Sequence, residues 1–260
     1  MLEKRETTLL LVRHGQTEWN LEHRWQGHGN SPLTKKGEDD ARQLGMRLKH
    51  EKIDAIYSSD LGRTIQTTEF ILKSVRGSNQ LRWSRTEAFK TDQRLRERSF
   101  GIFEGHTDKE AAIEFPEKSR AYKEACEGED ADNAAPPEGE TKVELLERGM
   151  ARLDELAAAH EGQTVLVVSH GAIISVIVKH ILGLRLGAMT SFIMANTSLT
   201  SITKRDGRWR IKTLCDVAHQ DGEWGKQLIS ARSSPSAGVA FIAGLLAGVA
   251  ALATLRKVLS

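Results

Sequence analysis

The sequence predicts an α/β protein in three layers, with a mostly parallel central sheet between helices, and three observations predict it. Short, unbroken apolar runs of strand length occur at residues 8–13, 54–58 and 164–169. Between them stand segments whose apolar residues recur at helical spacing. Two of the runs, ending in Val12-Arg13-His14-Gly15 and Val168-Ser169-His170-Gly171, lead straight into a histidine and a glycine. Strands buried on both faces read as continuous apolar runs, and strands alternating with helices imply parallel pairing through crossover connections. Ligand sites in such sheets form beyond the carboxyl ends of the strands, where both histidines fall.

The elements follow in order. Residues 8–13 (TLLLVR) suit a doubly buried strand. Residues 33–48 bring Thr34 as an N-cap and then Ala41, Leu44 and Leu48 on one helical face. Residues 54–58 (DAIYS) read as a second strand, and Asp60 stands ready to cap a helix over 61–74 whose Ile65, Thr68, Ile71 and Leu72 form a core-facing stripe. From about 77 to 139 the pattern weakens. A basic stretch (Arg82, Arg85, Lys90, Arg94, Arg96, Arg98) precedes an acidic one over 124–140, in which acids surround Pro136 and Pro137. That composition predicts a solvated loop, an insertion in the fold, and the basic run reads either as a solvated face or as a means of steering anions. A helix over 141–160, a buried strand at 164–169 (TVLVVS) and a helix over 172–182 restore the alternation. Residues 197–204 and 209–217 flank Asp206-Gly207 as a hairpin flanks its turn.

A chain of 260 residues can bury a large core, and a net charge of +2 lacks the cationic excess of a dedicated nucleic-acid binder. Cys126 and Cys215 show no metal-ligand or CxxC spacing, which suits a reducing compartment, and the N-terminus has no apolar secretory stretch. The C-terminus differs. Residues 237–255 carry no charge and are apolar or small throughout, close to the ~20 residues that span a bilayer. The expected organisation is a catalytic domain over 1–229, a Ser-rich linker at 230–236 and a hydrophobic anchor helix at 237–260. Such a tail would tether a cytosol-facing domain to an intracellular membrane, and its Gly244 and Gly248 offer a GxxxG face through which two copies could pair as a homodimer. A buried Ala-rich helix of a cytoplasmic protein is the alternative.

The chemistry gathers at the two strand ends. A phosphoryl dianion needs fixed positive donors beside an in-line nucleophile, and Arg13 with His14 supplies both, while Gly15 permits close backbone approach and Thr17 and Asn20 can donate further hydrogen bonds. The stretch LVRHGQTEWN (residues 11–20), Gln26-Gly27, SPLTKKG (31–37), YSSDLGRTIQT (57–67), LRERSFGIFEG (95–105) and VVSHGAII (167–174) together resemble the signature of the histidine phosphatase superfamily, the phosphoglycerate mutase-like proteins, in family order. The resemblance implies that His14 attacks phosphorus and becomes phosphohistidine. It implies that Arg13, Arg63 and His170 bind the phosphoryl oxygens, with Asn20, Gln26, Gly27 and Gly171 nearby. Glu97 is then the proton donor to the leaving oxygen and later the base for water, and Glu104 holds the loop or a neighbouring arginine.

No HExxH, DxDxG or Asp/His cluster at ligand spacing is present, so neither metal nor cofactor is expected. Only 73 positions separate Glu97 from His170, and the intervening segment is acidic. A bisphosphate-retaining mutase of this family carries a longer insertion, so the resemblance points to a phosphatase acting on a small phosphorylated metabolite such as phosphoserine or a phosphoglycerate-like compound. Arg98 after Glu97 resembles the mutase pair and keeps transfer open. A catalytically idle, membrane-tethered phospholigand-binding protein is the other alternative. His219 reads either as a contact to the polar end of the substrate or as a surface histidine.

Overall fold

The computed structural model describes residues 5–75, 89–187 and 194–220 of the chain. All of these but Gln220 belong to one compact unit that reaches His219. The Ser-rich linker at 230–236 and the anchor helix at 237–260 lie outside the described residues, as do Arg82 and Arg85. Among the described residues no helix is long and apolar enough to cross a membrane.

In chain order the elements are β1 (Thr7–Arg13), α1 (Glu18–Leu21), α2 (Lys35–Leu48), β2 (Ala55–Ser58), α3 (Gly62–Val75), β3 (Lys90–Thr91), α4 (Asp108–Glu114), α5 (Pro116–Glu127), α6 (Lys142–Ala159), β4 (Thr164–Ser169), α7 (Gly171–Ile181), β5 (Leu199–Arg205) and β6 (Arg208–Asp216). The strands form one six-stranded sheet in the order β3-β2-β4-β1-β5-β6. β3, β2, β4 and β1 pair in parallel. β5 runs antiparallel to both β1 and β6, so the sheet is mixed. The expected turn joins β5 to β6, with Asp206 at φ +52° and Gly207 at +73°, the left-handed pair that a tight hairpin needs.

Alternation along the central strands divides the core. Leu9, Leu11, Val165 and Val167 face Leu145, Leu153 and Leu156 of α6 and Ile173 and Ile177 of α7. Leu10, Val12, Leu166 and Val168 face Ala41, Leu44 and Leu48 of α2 and Ile71 and Val75 of α3. These two apolar layers on either side of one sheet make the three-layer architecture, and because both faces are covered the strands are apolar throughout.

Local signals explain most helix starts. Thr34 accepts from the Gly37 amide, and Thr141 forms a capping box with Glu144. Asp60 does not cap α3. Its carboxylate is gripped at both oxygens by Arg96 (2.7 and 2.6 Å), a charge-assisted pair that outcompetes a local cap. The stripe of α3 also differs from expectation, for Ile65 and Leu72 are only half-buried while Arg63, Thr64 and Thr67 are wholly buried. The first turns of α3 face the site rather than the apolar layer.

The insertion is more ordered than its composition suggests. A capping box between Thr107 and Glu110 starts α4, and Pro116 at the first position starts α5. Ala131 and Ala134 are buried, and Asp132 accepts the amides of Leu186 (3.2 Å) and Gly187. Asp132 is therefore docked on the body of the fold, while Glu124, Glu127, Glu129, Asp130 and Glu138 are exposed, as the composition predicts. Most of the described basic side chains before it are engaged within the fold. Arg94 pairs with Asp92 and Glu155, Arg96 with Asp60, and only Lys90 of those described is well exposed.

Candidate active site

Register brings the two histidines together. β1 and β4 are neighbours, Arg13 is aligned with Ser169, and the His14 amide donates to the Ser169 carbonyl at 2.9 Å. The next residue on each strand is a histidine, so their rings meet edge to face with centroids 5.3 Å apart. Both are buried, His14 at 2% exposure and His170 at 0%.

His14 Nδ1 lies 2.8 Å from the Gly15 carbonyl, which can only accept, so Nδ1 carries the proton and Nε2 keeps the lone pair. Burial, reinforced by the charges of Arg63 and Arg13, holds this histidine well below its usual 6.5. Burial, followed by Arg63 and His14, does the same to His170. Each imidazole is thus neutral at pH 7.

Arg13 reaches the Met194 carbonyl through Nη1. Arg63, at the start of α3, donates Nη1 to the Gly29 carbonyl and Nη2 to the Gly27 carbonyl, both at 2.7 Å. Burial lowers Arg63 to about 10, which leaves it charged at neutral pH. Arg13 Nε, Arg63 Nε and both ring nitrogens of His170 are buried without a hydrogen-bond partner. Buried polar groups are normally paired. Unpaired nitrogens on two arginines and a histidine, beside a second histidine with a free lone pair, fit a phosphoryl group.

The pocket opens into a cleft of about 320 Å³ lined by Arg13, His14, Asn20, Gln26, Gly27, Arg63 and Glu97, together with the aromatic rings of Trp19, Trp25 and Phe100. Asn20 turns its oxygen to Thr17 and to Asn196 Nδ2 (3.2 Å), which presents its amide nitrogen elsewhere. Gln26 is buried, with its side-chain oxygen unpaired. Thr17 is not on the cleft wall; it is fully buried and forms the capping box of α1 with Asn20. Gly15 serves a close approach of another kind, for a Cβ there would stand 2.6 Å from the Gly37 carbonyl oxygen. Gly171 opens α7 where a Cβ would press on Arg13 Nε at 3.2 Å, so its smallness leaves room for the arginine.

Glu97 lies on the cleft with its carboxylate aimed by the amides of Arg98 (2.9 Å) and Ala172 (3.2 and 3.1 Å). Arg98 itself turns away. It is buried and donates to the Glu140 carbonyl (2.7 Å), the Tyr122 hydroxyl (3.0 Å) and the Ala134 carbonyl (2.5 Å), tying down the insertion. Arg98 is therefore absent from the cleft wall. Glu104 ties two loops together by accepting from the Gly29 amide (3.0 Å) and the Phe100 amide (2.9 Å). His219 pairs with the Thr197 hydroxyl (3.1 Å) away from the cleft wall, and burial lowers it to about 4. Among the described residues no group of three or more His, Cys, Asp or Glu could hold a metal ion.

Several residues escape a reading of the sequence. Thr67 accepts the Gly15 amide (2.9 Å), and Arg148 and Glu140 brace the loop that carries Glu97. Their partners lie far away in the chain, so no local spacing announces them.

Two buried histidines, His14 and His170, and the half-buried His219 stay neutral in the fold and make stability depend on pH. The unfolded chain takes up their protons below about 6.5, and the folded one does not, so stability is full above that pH and falls as the solution is acidified. The slope is about 1.4 kcal/mol per pH unit for each such histidine. Urea unfolding between about pH 7.5 and 5.5 should show this loss, and an unchanged midpoint would mean that His14 and His170 are protonated in the fold.

A sheet that ends in two apposed histidines, flanked by two buried arginines and a carboxylate, defines an enzyme of phosphoryl chemistry with an imidazole at its centre. The chain belongs to the histidine phosphatase superfamily (branch 1), whose family model matches residues 9–217. A probable phosphoglycerate mutase GpmB from Salmonella arizonae is 35% identical over 216 residues, covering 81% of this chain and 94% of the relative. The solved structure of YhfR from Bacillus stearothermophilus superposes with a TM-score of 0.70 at 34% identity, over 82% of this chain and 98% of that one. A mutant phosphoserine phosphatase from Entamoeba histolytica in complex with phosphoserine gives a TM-score of 0.67 at 27% identity, over 82% and 98%. Mutases and phosphatases are thus both among its relatives.

Proposed function

We propose that this enzyme hydrolyses phosphate monoesters of small metabolites through a phosphohistidine on His14. The observation that carries this is the fixed Nδ1–H tautomer of His14 beside the unpaired nitrogens of Arg13, Arg63 and His170. In the first step Nε2 attacks phosphorus, the bond to the ester oxygen breaks, and Glu97 delivers a proton to that oxygen. In the second, Glu97 removes a proton from water, which attacks phosphorus and releases phosphate and free imidazole. Arg13, Arg63 and His170 stabilise the charge on the equatorial oxygens, the work done by metal clamps in other phosphoryl-transfer sites.

Hydrolysis is favoured over mutase transfer because a mutase must keep a doubly phosphorylated intermediate, which calls for a second anion seat. Arg98 is committed to the insertion. Arg24, on the cleft wall, already holds Glu22 (2.5 Å), Glu110 and the Gly105 carbonyl (2.8 Å). Asp108 adds a further negative charge on that wall. A leaving group with an ammonium is better matched to this rim than one bearing only a carboxylate. Phosphoserine is therefore expected to exceed 3-phosphoglycerate in kcat/KM by up to about fivefold, the equivalent of one exposed charge contact of about 1 kcal/mol.

The test is phosphate release by the full chain, with EDTA present, from phosphoserine, 3-phosphoglycerate, a sugar phosphate and a nucleoside monophosphate. Turnover that survives EDTA, with an acid-labile, base-stable phosphoenzyme, is the expected result. Isomerisation of 3-phosphoglycerate on addition of bisphosphoglycerate, without phosphate release, would make the enzyme a mutase. Binding of phosphorylated ligands with neither reaction would make it a tethered binding protein. The tether itself rests on the composition of residues 237–255 and predicts that the full chain pellets with membranes and resists alkaline extraction.

A further inference from the structure

We infer that Arg148, which does not line the cleft, is a positioning residue for the acid: it fixes the backbone that carries Glu97 and so sets where the carboxyl stands against the leaving oxygen. The inference rests on the reading of Glu97 as proton donor.

Glu97 lies just beyond the 3₁₀ turn Gln93–Leu95, in a segment with no strand neighbour to hold its carbonyls. Arg148 reaches across from α6. Its Nη1 donates to the carbonyls of Arg94 (2.9 Å) and Arg96 (2.8 Å), and its Nη2 donates to that of Glu97 (2.8 Å). Ser169, at the end of β4, takes the remaining carbonyl of this run, that of Leu95, at 2.7 Å. The four successive carbonyls from Arg94 to Glu97 are therefore tied down, three of them by one side chain.

Arg148 is itself held in place. Glu140 accepts from its Nε at 2.6 Å and its Nη2 at 2.8 Å, and the two side chains are only 20% and 16% exposed. The carboxylate at the end of the insertion thus orients a guanidinium that orients the acid loop. A flat fork with five donors can serve three carbonyls and a carboxylate at once, whereas an ammonium has three donors and no plane. α6 is anchored in the apolar layer beneath the sheet through Leu145, Leu153 and Leu156, which gives the fork a rigid base. His28 adds a lateral brace, with Nε2 3.0 Å from the Glu97 carbonyl.

The test exploits what an acid does. Protonation matters for a leaving alkoxide and hardly at all for p-nitrophenolate, which departs unaided. kcat/KM reports the steps up to phosphoenzyme formation, so it isolates the acid role from the later use of Glu97 as base. For Arg148→Lys, kcat/KM on an alkyl phosphate is expected to fall by about 10- to 100-fold, the scale of an ångström-sized misplacement, while that on p-nitrophenyl phosphate stays within about threefold. Glu140→Gln, which loosens the fork without removing it, should show the same split at smaller amplitude and serves if Arg148→Lys fails to fold. Glu97→Gln, measured in parallel, must show the split in full.

An equal loss on both substrates, or no loss on either, in a folded Arg148→Lys or Glu140→Gln would overturn the inference while leaving Glu97 as acid intact, provided that Glu97→Gln splits the two substrates. If Glu97→Gln does not split them, the reading of Glu97 as donor falls and this inference falls with it.

Discussion

His14→Ala is expected to abolish phosphate release, lowering kcat by about four orders of magnitude or more, the scale seen when a covalent nucleophile is removed. The size of the effect follows from the geometry. The free lone pair is on Nε2 because the Gly15 carbonyl holds the proton on Nδ1, and it is this nitrogen that the proposed mechanism uses; His170 stands edge-on beside it. Neutrality is built in as well, since burial and the charges of Arg63 and Arg13 keep His14 unprotonated at the pH of the assay. The variant should still bind phosphate, because Arg13, Arg63 and His170 are untouched. The checks are single-turnover phosphate release together with trapping of the phosphoenzyme. A phosphoenzyme that persists in His14→Ala would transfer the nucleophilic role to another residue.

Arg63→Lys should cost about 10²- to 10³-fold in kcat/KM despite keeping its charge, the scale of losing one fixed donor to a developing oxyanion. Arg63 does two things at once. Its Nη1 and Nη2 hold the carbonyls of Gly29 and Gly27, which closes the loop carrying Gln26 over the pocket, and its buried Nε is left unpaired. An ammonium cannot hold two carbonyls in a plane and also meet a phosphoryl oxygen, so lysine must give up one task. The loss should appear with every phosphomonoester, since it concerns the transferred group and not the leaving group. That distinguishes it from the split expected for Arg148→Lys. A variant with near-normal kcat/KM would show that the phosphoryl group is held without Arg63.

Much of this was legible in the sequence, and for definite reasons. The strands at 8–13 and 164–169 stand out because a strand covered on both faces must be apolar at every position, as Leu9 to Val12 and Val165 to Val168 are. Thr34 and Asp206-Gly207 are local signals whose partners lie within a few residues, and the structure uses both of them. His14 and His170 follow directly from those strands. Where the reading failed, the competing partner was distant. Asp60 looked like a cap until Arg96 was placed beside it, and Arg98 resembled half of a mutase pair while its partners in the insertion, Tyr122 and the carbonyls of Ala134 and Glu140, lay far along the chain. Most acids of the 124–140 segment are exposed as their composition suggests, but composition does not reveal that Asp132 meets the amides of Leu186 and Gly187.

By itself, then, the sequence determined the α/β class, the two strand ends that carry the histidines, and several residues of the cleft they open on, because hydrophobic period and short-range capping are written in neighbouring positions. Tertiary structure alone decided that β4 lies beside β1 and so sets the rings 5.3 Å apart, that β5 reverses direction and makes the sheet mixed, and which arginines serve the pocket and which brace the fold. The physical reason is that a guanidinium commits to whichever carbonyls and carboxylates the folded chain brings within about 3 Å, and that competition has no counterpart in the order of residues along the chain.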